Sequence, residues 1–253
     1  MRDFLDMALN VAESCGATYA DIRIIDTRNE KIDTRNGVLS GLERSESLGF
    51  GVRVIANGSW GFASSSNLCF DELRRVTVSA CRLAKAAATV AGEHVRLASE
   101  PVHVDFWQTP FIIDPFTVPL QDKLGLLLQV DEILRHDARI KVAQGHMKFC
   151  RIHKWFASSE GARIEQVLLR SGGGFSAAAV DNGETQQRSY PASFGGQYKN
   201  MGYEIIPALR LPENAERIRD EAVELLSAPD CPQGRRDIIL HPNQMMLQIH
   251  ESV

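Results

Sequence analysis

The sequence lacks a long hydrophobic run, and this absence excludes a helical membrane protein. Its longest apolar stretches, such as Leu124 to Val130, are far shorter than the roughly 20 residues that a membrane helix needs. Arg2, Asp3 and Asp6 interrupt the first residues, which argues against a secretory signal peptide. We therefore expect a cytoplasmic protein that makes no membrane contact.

Closely spaced cysteines are also lacking. Five cysteines are scattered through 253 residues without a C-x-x-C pair. An odd number at wide spacing argues against a disulfide framework and against a cysteine-based zinc knuckle. We interpret most of them as small buried hydrophobic residues. They are Cys15, Cys69, Cys81, Cys150 and Cys231.

The charge balance lacks an excess of one sign. Lys and Arg number 28 and Asp and Glu number 32, for a formal net charge of -4. No basic segment marks a nucleic-acid surface, so we expect no direct contact with DNA or RNA. A hydrophobic content of 44% with 24% charged residues is typical of a folded globular chain and excludes disorder.

Periodicity in the first hundred residues predicts helices on either side of a small sheet. Apolar residues at helical spacing predict one helix over 2–15 and another over 70–90. Between them, apolar and polar residues alternate, and the pairs Asn36-Gly37 and Asn57-Gly58 predict tight hairpin turns. We expect an antiparallel meander covered by the second helix.

Strand patterns dominate the rest of the chain. A short strand is predicted over 102–107 and a helix over 120–134. Five strands are then predicted over 140–149, 151–158, 163–171, 175–181 and 186–194. We interpret Gly172-Gly173-Gly174 as a flexible hairpin tip and not as a phosphate loop, because strands flank it on both sides.

The last forty residues read as a helix, a short strand and a final helix. Pro212 opens a helix that ends before Pro229, and its charged residues are interpreted as a solvent-exposed face. The apolar run 236–240 predicts a strand, and 244–253 predicts the last helix.

The predicted fold class is α+β, with antiparallel sheets and long helices packed on them. We expect one α+β region over 1–253, with a possible subdivision into 1–100, a helix, meander and helix, and 101–253, a helix plus a large antiparallel sheet.

The seven histidines include no pair spaced for a helical metal clamp, and one of them, His250, is followed by a glutamate, Glu251. A His-Glu dipeptide alone says little about function. Its context is more informative, because an apolar run, a turn and a predicted helix lead into it. Five further segments accompany it: Ala20-Asp21-Ile22-Arg23, Asn36-Gly37, Gly49-Phe50-Gly51-Val52-Arg53-Val54, Gly58-Ser59-Trp60-Gly61-Phe62-Ala63, and Ser158-Ser159-Glu160-Gly161 with Gln166.

Together with His250-Glu251-Ser252-Val253, these segments resemble the TldD/PmbA family over the whole chain. The family is known under the label modulator of DNA gyrase and is understood as a group of zinc metallopeptidases. The resemblance implies that His250 is a zinc ligand and that Glu251 is the general base that takes a proton from the zinc-bound water.

The family motif reads His-Glu-x-x-x-His, and a cysteine of a C-terminal domain completes the metal site. This chain ends at Val253, before the second histidine would occur, and none of its cysteines matches the ligand cysteine. From the resemblance, we expect the C-terminal domain of the family to lie outside these 253 residues. A hydrolytic zinc site takes three protein ligands, so we expect no catalytic zinc on this chain alone and no activity from it in isolation.

Two functions remain open. The chain is either the N-terminal part of a TldD-like zinc metallopeptidase that hydrolyses peptides or unfolded polypeptides, or a non-catalytic partner module that assembles with a catalytic paralogue. In the first case, sheet edges would hold an extended substrate. The resemblance implies paired subunits in both cases, as a homo-oligomer or a heterodimer. The sequence leaves open whether the chain is a fragment or a natural truncation.

Overall fold

The computed structural model describes residues 1–90, 92–193 and 195–252. It confirms the α+β class. The helices are α1 (Arg2–Ser14), α2 (Phe70–Ala87), α3 (Leu120–Leu134), α4 (Ile205–Leu209), α5 (Leu211–Glu224) and α6 (Pro242–Ser252). The strands are β1 (Tyr19–Arg35), β2 (Val38–Ala56), β3 (Ser59–Ser65), β4 (Val104–Gln108), β5 (Ile140–Ser158), β6 (Arg163–Asp181), β7 (Glu184–Tyr190) and β8 (Gln197–Lys199).

The strands follow the order β3-β2-β1-β5-β6-β4, and β7 and β8 also pair with β6. The β2–β3, β6–β7 and β6–β8 pairs are antiparallel, whereas β4 runs parallel to β6. Asn36 and Asn57 have φ angles of 51° and 52°, as a two-residue hairpin turn requires, and they confirm the predicted meander of β1, β2 and β3.

The chain forms two compact units, each built from three stretches of sequence. The first unit contains Met1–Arg28, Ser45–Thr109 and Cys150–Leu168, and the second contains Asn29–Arg44, Pro110–Phe149 and Leu169–Val253. The four longest strands contribute residues to both units. The two units interleave along the sequence, so they do not correspond to the predicted subdivision into 1–100 and 101–253, which stays a prediction.

The first unit buries the apolar faces of α1 and α2 on strands of the meander. Phe4 of α1 meets Phe50 of β2 edge to face, with ring centroids 5.4 Å apart. Leu73 and Val76 of α2 are buried in the same core as Ile22 of β1. The alternation of side chains along the strands explains this core, because every second residue faces the helices.

The core of the second unit lies between strands and the helices α3 and α5. Leu127 and Leu134 of α3 and Ile218 of α5 are buried with Phe149 of β5 and Phe175 of β6. The leucine stripe predicted for α3 therefore forms a core face. The same helix also buries a cation, Lys123, which the spacing of its leucines did not predict.

Lys123 of α3 is completely buried. Its Nζ donates hydrogen bonds to Glu30 Oε1 at 2.5 Å and to the carbonyl oxygen of Pro115 at 2.6 Å, and it lies 4.7 Å from the centre of the Phe149 ring. The other carboxylate oxygen of Glu30 accepts a bond from Arg44 Nε at 2.7 Å. The buried charges are thus paired and hydrogen-bonded, which burial of a charge requires.

The predicted breaks in the long strands are wrong. Residues 140–158 form one strand and residues 163–181 another, so Gly172-Gly173-Gly174 lies inside β6 and not at a hairpin tip. Strand β8 pairs directly with this run, at Gly172↔Tyr198 and Gly173↔Gln197. A Cβ on Gly174 would lie against the carbonyl oxygen of Gly195 and 2.6 Å from that of Tyr190. Glycine permits this close approach of backbone to backbone.

The predicted strand over 236–240 is also wrong, because these residues form no strand and are exposed. No neighbouring strand among the described residues pairs with them, so an apolar run alone does not make a strand there. Helix α4 was not predicted, and α6 begins at Pro242, two residues before the predicted start. Phe194 and Val253, the last residues of a predicted strand and helix, lie outside the described residues.

We expect Gly174→Ala to lower the free energy of unfolding by about 3 kcal/mol, because the added methyl group meets backbone atoms that cannot rotate away. The matched control is Gly125→Ala on the exposed side of α3, where an added Cβ meets nothing within 4 Å. This control should stabilise the chain by about 1 kcal/mol through helix propensity. Urea unfolding of the three proteins measures both changes, and equal midpoints for wild type and Gly174→Ala would contradict the packing argument.

We expect Lys123→Met to destabilise the chain by about 3 kcal/mol or more, because it leaves the buried Glu30 carboxylate without its cation. The double substitution Lys123→Met/Glu30→Leu should recover most of this loss, since it removes both buried charges. Arg44 is half exposed and can return to water. Denaturant midpoints distinguish the cases. A double variant no more stable than Lys123→Met would show that the lysine acts through packing and not through charge.

Candidate functional site

The two residues predicted to carry the chemistry lie side by side near the end of α6. His250 and Glu251 are both exposed, and no residue of α6 is buried. Successive residues of a helix are about 100° apart around its axis, so the two side chains leave the helix in different directions. The structure thus places a candidate ligand and a candidate base on one helical turn.

Helix α6 has apolar side chains that the described residues leave uncovered. Met246, Leu247 and Ile249 are each about half exposed, although they form much of the helix surface next to His250. Apolar residues on a stable helix are usually buried against a partner. The surface around His250 therefore has the composition of a contact face.

The ligands brought together in this chain do not complete a catalytic zinc site. A hydrolytic site takes three protein ligands and keeps one position for water. In the described ranges 1–90, 92–193 and 195–252, no three His, Cys, Asp or Glu side chains are grouped so that they could hold a metal ion. His250 is one candidate ligand on an exposed helix, so these residues alone do not fit the catalytic metal.

A cavity of about 450 Å³ lies in the second unit where α6 begins. His241, Asn243 and Gln244 line one side of it, and the end of β7, residues 191–193 and the face of α5 line the rest. The His241 carbonyl accepts hydrogen bonds from Gln244 N at 2.8 Å and Met245 N at 3.1 Å. The cavity therefore adjoins the first turn of the helix that carries His250.

Two arginines of this cavity share one carboxylate. Arg188 Nε donates to Glu221 Oε2 at 2.9 Å, and Arg217 Nη1 donates to Glu221 Oε1 at 2.6 Å. The Arg217 guanidinium also lies 5.8 Å from the centre of the Tyr190 ring. Partial burial by itself would raise the pKa of Glu221, but the hydrogen bonds from the two arginines outweigh it and hold that pKa below its ordinary value. The carboxylate stays ionised, and the two arginines leave one net positive charge.

Sequence reasoning missed this cluster because it interpreted Arg217 and Glu221 only as a solvent-exposed face of α5. Their spacing of four residues was a signal for an ion pair on one helix face. Arg188 lies on β7 and gave no such signal, because its contact with α5 is tertiary.

Two other histidines take part in local contacts within their own units. In the first unit, His153 Nε2 lies 2.7 Å from Glu165 Oε1, and the His153 ring stacks on Trp155 with centroids 3.7 Å apart. In the second unit, His146 stacks on Tyr198, and burial lowers the pKa of His146.

Two family profiles match the chain in order along the sequence. One describes the PmbA/TldA metallopeptidase domain 1 and matches residues 20–90. The other describes the PmbA/TldA metallopeptidase central domain and matches residues 113–228. Together they cover most of the chain, but His250 and Glu251 lie outside both matches.

Curated relatives include proteins named metalloprotease from archaea. The protein from Methanothermobacter thermautotrophicus is 29% identical over 235 residues, which are 93% of this chain and 49% of the relative. The protein from Methanocaldococcus jannaschii is 27% identical over 235 residues, again 93% of this chain and 50% of the relative. The chain thus spans about half the length of the curated relatives it matches.

Solved structures share the fold. A Thermotoga maritima protein provisionally named a modulator of a DNA gyrase superposes with a TM-score of 0.70 at 17% identity, over 92% of this chain and 50% of that one. TldE from Thermococcus kodakarensis superposes with a TM-score of 0.56 at 12% identity, over 88% of this chain and 47% of that one.

No helix in the described part of this chain is long and apolar enough to cross a membrane. The two profile matches show that the chain belongs to the TldD/PmbA family of metallopeptidases.

Proposed function

We propose that this chain is the N-terminal part of a TldD-like, zinc-dependent metallopeptidase that hydrolyses peptides or unfolded polypeptides in the cytoplasm. The observation that carries the proposal is the ordered match to the first and central metallopeptidase domains. It is supported by the names of relatives about twice as long as this chain.

In this proposal, His250 is a metal ligand and Glu251 accepts the proton of the attacking water. Exposure of both residues supports these roles, because a ligand that joins a site made with other residues must be accessible. The uncovered apolar residues of α6 support an interface on the same surface, where further ligands would be supplied. Zinc is the metal of this proposal, because an imidazole is one of its usual ligands.

The cavity at the start of α6 is our proposed location for part of the substrate. His250 lies six residues after Gln244, which lines the cavity, and this corresponds to roughly 9 Å along a helix axis. A peptide bound in the cavity could therefore extend toward His250. The net positive charge of the Arg188, Arg217 and Glu221 cluster suits an acidic side chain or a terminal carboxylate.

The alternative function is a non-catalytic partner module of a TldD/PmbA-type complex, as a homo-oligomer or with a paralogue. The observation that favours it is the single candidate ligand on α6, which a module without catalysis would tolerate. The two functions differ in whether Glu251 is required for peptide cleavage.

We expect Glu251→Gln, in the protein expressed from its entire gene, to retain the metal and to lower the rate of peptide cleavage by about 100-fold or more, because the proton acceptor is lost. His250→Ala should lower both the cleavage rate and the metal content, because a proposed metal ligand is lost. The matched control is Glu224→Gln, an exposed carboxylate of α5, which should leave cleavage and metal unchanged.

Cleavage of a fluorogenic peptide library and metal analysis of each purified protein provide the measurements. Full activity of Glu251→Gln would remove Glu251 from the proposed role. A wild-type protein that cleaves no peptide and binds no zinc would favour the partner module.

A further inference from the structure

Strand β4 ends the strand order of the sheet, and its outer edge carries no other strand of the described residues. It pairs in parallel with β6, from Val104↔Arg163 to Gln108↔Val167. Both strands belong to the first unit over these residues. An edge strand presents unpaired backbone groups that can template pairing with another chain, and proteins usually protect such edges.

Apart from Asp105, the side chains of β4 give its edge little of the usual protection by charge. Val104 is 72% exposed, Phe106 is 53% exposed and Trp107 is 46% exposed, and Val102 just before the strand is 57% exposed. All five residues of the strand are exposed. Val102, Val104 and Phe106 share one face by the alternation of a strand. An exposed apolar face beside an unpaired edge is typical of an interaction surface.

The backbone bonds to β6 fix which groups of β4 point outward. The His103 carbonyl accepts a bond from Arg163 N at 2.9 Å, and Thr109 N donates to the Val167 carbonyl at 2.9 Å. The backbone groups of successive residues in a strand alternate in direction. The N–H and C=O groups of Val104 and Phe106 therefore point away from β6.

One outward donor already has a local acceptor. Phe106 N donates to Asp105 Oδ1 at 2.8 Å, so the aspartate satisfies this group while the edge is free. A pairing strand would supply a carbonyl in place of the carboxylate. The Asp105 side chain would then be free to contact the incoming strand.

We propose that β4 pairs with β4 of a second copy of this chain, as antiparallel strands related by a two-fold axis at Val104. In this register, Val104 lies opposite Val104 of the second copy, Val102 lies opposite Phe106, and His103 lies opposite Asp105. The outward backbone groups of the even-numbered residues then face one another, as an antiparallel ladder requires. The symmetry makes the contact isologous and closed.

The sequence of β4 is complementary to itself in this register. The pairs of Val104 with Val104 and of Val102 with Phe106 place apolar side chains on one face of the two-stranded ribbon. On the other face, the His103 imidazole, which has an N–H donor in either protonation state, meets the Asp105 carboxylate. A two-fold axis at Asp105 would instead place two carboxylates opposite each other. This complementarity favours a second copy over an unrelated extended peptide.

We expect the chain to dimerise in sedimentation-velocity experiments over a concentration series, and Val104→Lys to raise the dimer dissociation constant by about tenfold or more, because it places like charges opposite each other on the axis. The matched control is Ile112→Lys, at a residue that is 84% exposed outside β4. This control should leave the dimer unchanged. A chain that is monomeric at every concentration, or a dimer insensitive to Val104→Lys, would overturn the proposal.

A charge exchange tests the register. His103→Asp places two carboxylates opposite each other at two positions of the dimer and should weaken it, whereas His103→Asp/Asp105→Lys restores opposite charges and should recover it. Amide hydrogen exchange of Val104 and Phe106 should slow upon dimerisation. Failure of the double variant to recover the dimer would contradict the pairing of two β4 strands. The same holds if the amides of Val104 and Phe106 are protected from exchange only when an unrelated extended peptide is bound. These readouts do not depend on peptidase activity, so they are independent of the proposed function.

Discussion

Side chains alternate between two faces along the strands of this sheet, and helices cover one of those faces. Because apolar residues are needed on the face that packs against the helices, the residues between them point to the opposite face. In the first unit, Ile22 and Ile24 of β1 face the core, while the intervening Arg23 is exposed. Asp21 is buried on that other face because Arg53 pairs with it at 2.7 Å. The same alternation in β6 leaves glycines where the chain around Gly195 passes closely.

Burial of charge is the second feature that organises the molecule. Lys123 lies in a core face of the second unit, and its ammonium group is satisfied by a carboxylate, a carbonyl and an aromatic ring. Such a cluster contributes more to conformational specificity than to stability, because each buried group needs its partner in place. It therefore joins β1, α3 and the segment that contains Pro115 in one geometry.

The candidate site combines an exposed helix with a cavity at its first turn. His250 and Glu251 were identified from the sequence through a resemblance, and their exposure on α6 is a property that only the structure gives. The cluster of Arg188, Arg217 and Glu221 was not predicted, because its members come from different elements of the second unit. Local spacing reveals pairs on one helix but not contacts between a strand and a helix.

The α+β class, the asparagine-glycine turns and the apolar faces of α1, α2 and α3 could be predicted from the sequence, because they follow from local backbone preferences and periodicity. Contacts between distant segments, in contrast, explain why Gly172-Gly173-Gly174 continues a strand, why 236–240 does not form one, and why Lys123 is buried. A glycine run or an apolar run is compatible with several conformations. The choice among them depends on whether another segment lies close enough to pair with the backbone or to neutralise a charge, and that information is not local.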